Sequence, residues 1–319
     1  MDILFKLVSA VVLDLVFGDP RCLTHPVTLI GRFARTMEGL FRNLMPGNPF
    51  TAGLYTAATT ILGTAFTVFL LIFTAESIHP ILGDLVEIYI MYTCFAARDL
   101  GAHSARVFKA LAADDLNDAR KQVAMMVGRD TGSLDERGVT RAAVESVGEN
   151  IVDGVTAPLF YAALLGPIGA MTYKAVNTLD SNFGYKNEQY LAFGCISAKV
   201  DDAVNWLPAR LTGPIIALSA LFCRLNPLLS LKIFLRDRFN HSSPNSAHGE
   251  SAFAGALAVQ LGGPTRYQGR LKDHPYIGDA VEPLMPVHII KANRLMYTAA
   301  FTFLAILVIA RILITGELI

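Results

Sequence analysis

TAGLYTAATTILGTAFTVFLLIFTA, residues 51–75, contains no charged side chain. As a helix at 1.5 Å per residue it would cover about 37 Å, enough to cross a ~30 Å hydrocarbon layer with some tilt. In lipid only a helix or a closed barrel satisfies its own backbone, and an unbroken apolar run of this length reads as the helix. This stretch sets the class: a helical, polytopic membrane protein.

Working outward, residues 297–314 carry one charge, Arg311, near the end, where it can snorkel to the headgroups. Residues 81–97 form a third candidate span, with Asp84 and Glu87 in its first turns. Residues 3–17 form a fourth, short one, interrupted by Lys6 and Asp14. Gly18-Asp19-Pro20 follows it instead of a small-x-small cleavage site, so it reads as a retained helix and not a signal peptide. Two further apolar stretches, 155–176 and 207–222, hold Pro158, Gly166-Pro167 and Gly169, and Pro208 and Gly213-Pro214. Broken helices are tolerated at membrane depth only where protein or a wet cavity covers them. These two read as re-entrant or interfacial. The expected fold is therefore all-α: one integral membrane domain over 1–319, about four spanning helices, and two Pro/Gly-broken segments around a cytoplasm-facing polar site.

Composition agrees. The chain is 53% hydrophobic and 17% charged, against about a quarter charged in a soluble domain, and its mean hydropathy is +0.43. Formal net charge is zero, so there is no basic footprint for nucleic acid. Cys22, Cys94, Cys195 and Cys223 form no CxxC pair and read as small apolar packing residues. Arg32, Arg35 and Arg42 precede the first long span, and Glu76 and His79 follow it; residues 98–141 are rich in Lys and Arg. Lys291 and Arg294 precede the last span, and Glu317 follows it. The positive-inside rule then puts residues 18–50, 98–150 and 224–296 in the cytoplasm and the C-terminus outside. The stretch 111–121 reads as a soluble helical hairpin, with Asp114-Asp115 near its turn.

Polar residues cluster between the apolar segments. Glu145, Glu149 and Asp153 are four apart, nearly one helix face, with Asn150 beside them. Such a column repels itself unless a cation sits within it, and a divalent ion with oxygen ligands is the usual answer. A solvated face is the plainer reading, but the segment runs straight into apolar Val155–Phe160, where unpaired carboxylates are costly. Lys174, Asn177 and Asp180 share a face; the lysine would either neutralise Asp180 or hold a phosphate. Asp201 and Asp202 precede Asn205, and at most one of the pair can face it. Arg210 is a candidate anion clamp. His241, Ser242, Ser243, Asn245 and Ser246, with Pro244, make a polar turn; Glu250 or Ser251 then begins an Ala-rich helix over 252–261. Amides at such a start suit phosphate, or are simply capped. His241 and His248 are a weak metal pair. Asp14, Asp19 and His25 sit around a tight loop leaving the first helix, where Pro26 biases His25 to an extended backbone. GxxxxGK[ST], GxSxG, HExxH and GxGxxG are all absent.

In this order the pieces resemble the CbiB/CobD family of cobalamin biosynthesis, the adenosylcobinamide-phosphate synthases. The matching strings are Leu13-Asp-Leu-Val-Phe-Gly-Asp-Pro20 with His25-Pro-Val27, Gly128-Arg-Asp-Thr131, Glu145-Ser-Val-Gly-Glu-Asn150, Ala157-Pro-Leu-Phe-Tyr161 and Tyr173-Lys-Ala-Val-Asn-Thr-Leu-Asp-Ser181. Gly184-Tyr-Lys186, Asp201-Asp202, Pro208-Ala-Arg210, His241-Ser-Ser-Pro-Asn245 and Gln260-Leu-Gly-Gly263 complete them. The resemblance covers nearly the whole chain. Two departures are Gly148, where the family usually has Ala, and Ser246-Ala247, in place of a small Ala-Gly pair.

The resemblance implies a carbon–nitrogen ligase of the cytoplasmic (inner) membrane. It would join a propionate of adenosylcobyric acid to (R)-1-amino-2-propanol O-2-phosphate, or a related amino alcohol, with ATP and Mg²⁺. Glu145, Glu149 and Asp153 with Asp180 or Asp201/Asp202 would carry Mg²⁺ and orient the amine, with Glu149 as general base. Lys174, Lys186, Arg210 and Arg129 would hold phosphates, and the Ser242–Asn245 turn the amino-alcohol phosphate or the nucleotide. Membrane lipid, other late cobalamin-pathway membrane enzymes and a second copy of the chain are candidate partners. The competing classes are a transporter or channel, built on intramembrane carboxylates, and a non-catalytic sensor like the AmpE branch, which should lack much of this polar block.

Overall fold

The computed structural model describes residues 2–19 and 24–315; Pro20, Cys22 and Glu317 lie outside them. Nearly all regular structure among the described residues is helical, and the chain forms two compact units.

The first unit comprises Met1–Ala96, Ala157–Asn205 and Leu307–Ile319. It opens with α1 (Ile3–Phe17), α2 (Pro26–Leu44), α3 (Pro49–Ile78) and α4 (Pro80–Tyr92). Each of α2, α3 and α4 starts on a proline at its first position, where no intrahelical N–H is lost. His25, Asn48 and His79 cap them from the side chain. His25 has the extended backbone that Pro26 predicts, and its Nε2 lies 3.7 Å from Asp19.

The charges interrupting the apolar runs find one another. Lys6 Nζ lies 2.7 Å from Asp84 and 2.8 Å from Glu87, so α1 and α4 meet through a nearly buried ion triad. On α3 the small residues Ala52, Thr56, Ala57 and Thr60 face inward, while Leu62, Phe66, Phe69 and Phe73 are exposed. That arrangement suits a helix whose outer face meets lipid. The core joins Ala34, Ala52 and Ala57 to Leu179, Phe183 and Phe193, with the last two rings edge-to-face at 5.2 Å. Each buried aromatic contributes roughly 1.5–3 kcal/mol.

The two Pro/Gly-bearing segments differ. In α8 (Ala157–Phe183) the backbone leaves helical geometry at Gly166 (φ 64°), just before Pro167, and the helix is broken there. A residue before proline is biased away from the helical region, and glycine adopts positive φ without strain. In contrast, α9 (Cys195–Phe222) runs through Pro208 and Pro214 as one helix. Pro208 has no N–H for the Val204 carbonyl, and the Tyr161 hydroxyl donates to that carbonyl at 2.9 Å.

The second unit comprises Ala97–Thr156 and Trp206–Ile306. Here α5 (Ala97–Ala112) and α6 (Leu116–Ala124) form the expected hairpin; Asp114 takes positive φ in its turn and Asp115 caps α6. α7 (Glu136–Ile151) leads into a π-helical turn over Val152–Thr156. α10 (Pro227–Asp237) packs on α11 (Ser246–Leu257), and α11 packs on α7. The sequence reading set the α11 helix at 252–261. It starts and stops earlier because Ala258 adopts the left-handed conformation that ends it, and the chain then turns into strands. These strands are short: β1 (Leu261–Gly262) pairs antiparallel with β4 (Tyr276–Ile277), and β2 (Thr265–Tyr267) with β3 (Arg270–Lys272). The last helix is α12 (Val287–Thr315).

Among the described residues, four stretches are long and apolar enough to cross a membrane: Pro49–Ile78, Pro80–Ala112, Glu136–Phe183 and Val287–Leu313. Three contain the expected spans at 51–75, 81–97 and 297–314, wholly or but for a residue. The fourth falls on α7–α8 and not on α1, whose 15 residues cover only about 22 Å.

Candidate active site

Two helices of the second unit meet at glycines. A Cβ placed on Gly249 of α11 would lie 2.0 Å from the Gly148 carbonyl of α7, and one on Gly148 would lie 3.2 Å from the Glu250 Cα. Each glycine is followed by a glutamate, Glu149 and Glu250. The close approach therefore carries two carboxylates to the mouth of one cavity of about 280 Å³. Glu149, His241 and Glu250 each present a ligand atom within 4.8 Å of the others.

The three acids near this cavity are held differently. Glu145 is buried and matched: Arg129 Nη1 donates to it at 2.5 Å, the Gly262 amide at 2.6 Å, and Arg141 lies 3.9 Å away. Arg129 is itself mostly enclosed, and Glu145 more than offsets the burial, so its pKa is raised. Glu149 is half-buried and accepts from the Ser246 hydroxyl at 3.2 Å. Glu250 is buried, and its carboxyl is held well above the usual carboxylate range, first by desolvation and then by Glu149 and Glu145, with Arg129 opposing. The Glu149–Glu250 pair thus lacks a compensating positive charge of its own.

The far wall is donor-rich. Arg129, Ser242, Lys272 and His274 line it together with Tyr267 and the Gly262-Gly263 backbone. Burial lowers the His274 pKa, helped by His241, Arg129 and Lys272. Asp130 fixes this wall: its carboxylate accepts from the Gln268 and Gly269 amides at 3.1 and 2.7 Å, and its amide donates to Arg266 O at 2.9 Å. Arg129 is thereby set against the β2–β3 hairpin. His241 Nδ1 accepts the Ser243 amide at 3.0 Å, so a neutral ring carries its proton on Nε2. An acidic pair facing a cationic wall is what a phosphate–metal complex requires.

The donor chemistry fits Mg²⁺. It is a hard ion that takes carboxylate and phosphate oxygens, and the unneutralised Glu149–Glu250 pair offers them. The His241 imidazole is the poorer ligand for such an ion and belongs to the rim.

The sequence-selected residues divide between the two units. Arg129, Glu145, Glu149, His241 and Ser242 come together in this cavity. Asp153 is not among its lining residues: the π turn adds a residue to the helical repeat and shifts the third carboxylate off the row. Asn150 turns back to donate to Ser146 O at 2.8 Å. Ser243 accepts the Asn245 amide at 3.3 Å, and Arg210 reaches Asn245 Oδ1 at 3.5 Å.

Asp14, Asp19, His25, Lys174, Asn177, Asp180, Lys186, Asp201 and Asp202 belong to the first unit. Asp201 is the one of its pair that meets Asn205, which donates to it at 3.0 Å and accepts from Tyr173 at 2.9 Å. Burial raises the Asp202 pKa, with Lys186 opposing. Asn177 lines a second cavity with Thr28, Arg35, Ser181 and Asn182. Glu250, Tyr267, Lys272 and His274 are the site residues that sequence reasoning missed. The alternation of glycine and acid at Gly148-Glu149 and Gly249-Glu250 was the available signal for Glu250.

The structure therefore defines a helical membrane protein with an acidic pair facing a cationic wall. A sequence model described as CobD/Cbib protein matches residues 7–296, and the chain belongs to the CobD/CbiB family. Cobalamin biosynthesis protein CobD of Clostridium perfringens is 43% identical over 308 residues, 97% of this chain and 98% of its own. The CobD protein of Leptospira interrogans is 45% identical over 296 residues, 92% and 94% of the two chains. Cobalamin biosynthesis protein CbiB of Salmonella typhimurium is 42% identical over 307 residues, 96% of each. No solved structure is significantly similar to it. Membership supports a role in cobalamin biosynthesis.

Proposed function

We propose that the protein is the ATP-dependent ligase that joins a propionate of adenosylcobyric acid to (R)-1-amino-2-propanol O-2-phosphate, giving adenosylcobinamide phosphate. The observation carrying this reading is the Glu149–Glu250 pair facing Arg129 and Lys272 across one cavity. A carboxylate and an alkylammonium do not condense in water, because both are in their unreactive charged forms. The acid must be activated as an acyl phosphate or acyl adenylate, and the ammonium must lose a proton before attack.

Glu149 and Glu250 would hold Mg²⁺, which supplies charge neutralisation at the phosphate oxygens when bound. Arg129, Lys272 and the Gly262-Gly263 amides would orient those oxygens on the opposite wall. A carboxylate oxygen of the pair not engaged by the cation takes the proton from the ammonium. Arg129 holds Glu145 in an ion pair, and so keeps a third acid from competing for the cation.

The residues of this cavity come from 98–150 and 224–296, the stretches that the positive-inside rule assigns to the cytoplasm. A site in the cytoplasmic membrane that opens to ATP follows from that assignment. The test is to incubate the protein in detergent with corrinoid acid, amino-propanol phosphate and Mg-ATP. Corrinoid amide should form with release of ADP or AMP, which identifies the activation step; no amide under these conditions refutes the reading.

A further inference from the structure

Within the first unit, α2 carries positive charge that its neighbours do not match. Arg42 pairs with Glu38 at 2.9 Å. Arg32 and Arg35 have no carboxylate partner among the described residues; both are exposed, and Arg35 donates from Nη1 to Asn182 Oδ1 at 2.9 Å. That contact uses one of the five N–H donors of the guanidinium. Arg35 also edges a cavity of about 350 Å³ between α2 and α8, lined with it by Thr28, Gly31, Asn177, Ser181 and Asn182. None of these residues is acidic. Among the described residues, neither the Thr28 hydroxyl nor the Asn177 side-chain amide has a hydrogen-bond partner. The cavity therefore offers positive charge and unused polar groups to an occupant.

The path of α2 says what kind of occupant. Phe41 stacks on Tyr55 of α3, ring centres 5.6 Å apart, and a Cβ on Gly63 of α3 would lie 3.2 Å from the Phe33 ring. The two contacts are eight residues apart on both helices, so α2 runs antiparallel along α3. Arg35 then stands level with Ile61, about 15 Å into the charge-free run that starts at Thr51. A cation beside such a run calls for an anion. Leu29, Phe33, Leu40 and Leu44 form an exposed stripe on one face of α2, and Arg32 falls between that stripe and Arg35 around the helix. An apolar stripe beside a charge-free span meets acyl chains, and the guanidiniums separate it from the polar cavity.

We infer that the α2–α8 cavity holds the headgroup of an anionic glycerophospholipid, of the phosphatidylglycerol class. Arg35 takes the phosphate, with Arg32 adding charge on the lipid side. Thr28 and Asn177 meet the headgroup hydroxyls, and the acyl chains lie along the Leu29–Leu44 stripe. A choline or ethanolamine headgroup is the poorer fit, because its ammonium would face two guanidiniums and no carboxylate. The inference is independent of the ligase reading, and amide formation is not its readout.

The experiment is native mass spectrometry of the full-length protein. It is reconstituted in vesicles of phosphatidylcholine with equal amounts of phosphatidylglycerol and phosphatidylethanolamine, then extracted in mild detergent. One phosphatidylglycerol per chain should be retained in preference to either zwitterionic lipid. R35Q should lower that retention about 10-fold, the loss of a charged hydrogen bond, and R35K should restore part of it. G31L should lower it as well: a Cβ on Gly31 meets nothing closer than 3.6 Å, so the longer side chain fills the cavity and leaves both arginines in place. Thermal unfolding identifies the variants that are folded. Glycerol 3-phosphate, which has the phosphate and no acyl chains, should not displace the lipid. Equal retention of the three lipids, or unchanged retention by folded R35Q or folded G31L, overturns the site. Displacement by glycerol 3-phosphate assigns the cavity to a soluble phosphate ester and overturns the lipid.

Discussion

Substituting Gly249 by alanine should disable the site more than it disturbs the fold. The added Cβ would lie 2.0 Å from the Gly148 carbonyl, and real Cβ contacts essentially never fall below 3.0 Å. The helices must therefore move apart by about 1 Å or more. The obstacle is backbone and not a flexible side chain, so no rotamer change relieves it. Overpacking of this kind costs roughly 1–3 kcal/mol. The larger effect is on position: Glu149 and Glu250 immediately follow the two glycines, and a displacement of about 1 Å in a reacting constellation costs on the order of 100-fold in rate.

Gly148→Ala provides the control. Its Cβ would sit 3.2 Å from the Glu250 Cα, so a shift of a few tenths of an ångström suffices. The substitution also gains about 1 kcal/mol of helix propensity. Amide formation and thermal unfolding in detergent, measured on both variants, should show G148A near wild type, with G249A losing most activity for a modest fall in unfolding temperature. If G249A keeps full activity and Mg²⁺ affinity, the α7–α11 crossing does not set the acid pair, and the reasoning fails.

Four further outcomes follow. Arg129→Gln leaves Glu145 buried with only a distant arginine and one amide, and should cost about 3 kcal/mol or more in unfolding experiments. Lys6→Met should destabilise the first unit by a similar ~3 kcal/mol, by stranding Asp84 and Glu87, and the double change with Asp84→Asn should recover part of that loss in the same melts. Glu250 binds its proton more tightly folded than unfolded, so its contribution to stability is full below about pH 4.5 and is lost as pH rises through its elevated pKa; Glu250→Gln should flatten that decline in unfolding temperature. His248 acts in the opposite sense, because its folded pKa of about 4 lies below the ordinary 6.5. Stability is lost as pH falls from 6.5 toward 4, and His248→Asn should remove that acid-side loss from the same pH series.

The membrane class was legible because 51–75 and 297–314 are long, uncharged or nearly so, and admit one solution in lipid. The α5–α6 hairpin was legible from Asp114-Asp115, residues that favour turns and caps. The fourth crossing candidate was read only in part: within 136–183 the apolar stretch 155–176 was visible, but Pro158, Gly166-Pro167 and Gly169 made it read as re-entrant or interfacial. The strands at 261–277 were not legible. They are two or three residues long, too short for any alternation to show. With them went Tyr267, Lys272 and His274, which line the donor-rich wall of the cavity. Glu250 was passed over for a related reason: it was read as a helix start, whereas α11 begins at Ser246 and carries Glu250 one turn further in.

That difference in helix start decides the chemistry. A glutamate at a helix start is half-solvated and serves the dipole, which is the bland reading of Glu250. One turn further in, on a helix buried all round from Ala247 to Leu257, the same glutamate must lose its charge or find a cation. The nearest charged neighbour on the facing helix is another carboxylate, Glu149, and the nearest arginine is committed to Glu145. Buried acids so placed oppose stability, and the crossing at Gly148 and Gly249 forces them together. On the proposed ligase reading, the pair is explained by what would bind it: a divalent cation, accommodated at the expense of the protein's own stability. Removing that pressure by E250Q should raise the unfolding temperature at neutral pH while abolishing the rise that added Mg²⁺ gives the wild type. A variant that is neither more stable nor blind to the metal would show that the pair has another purpose.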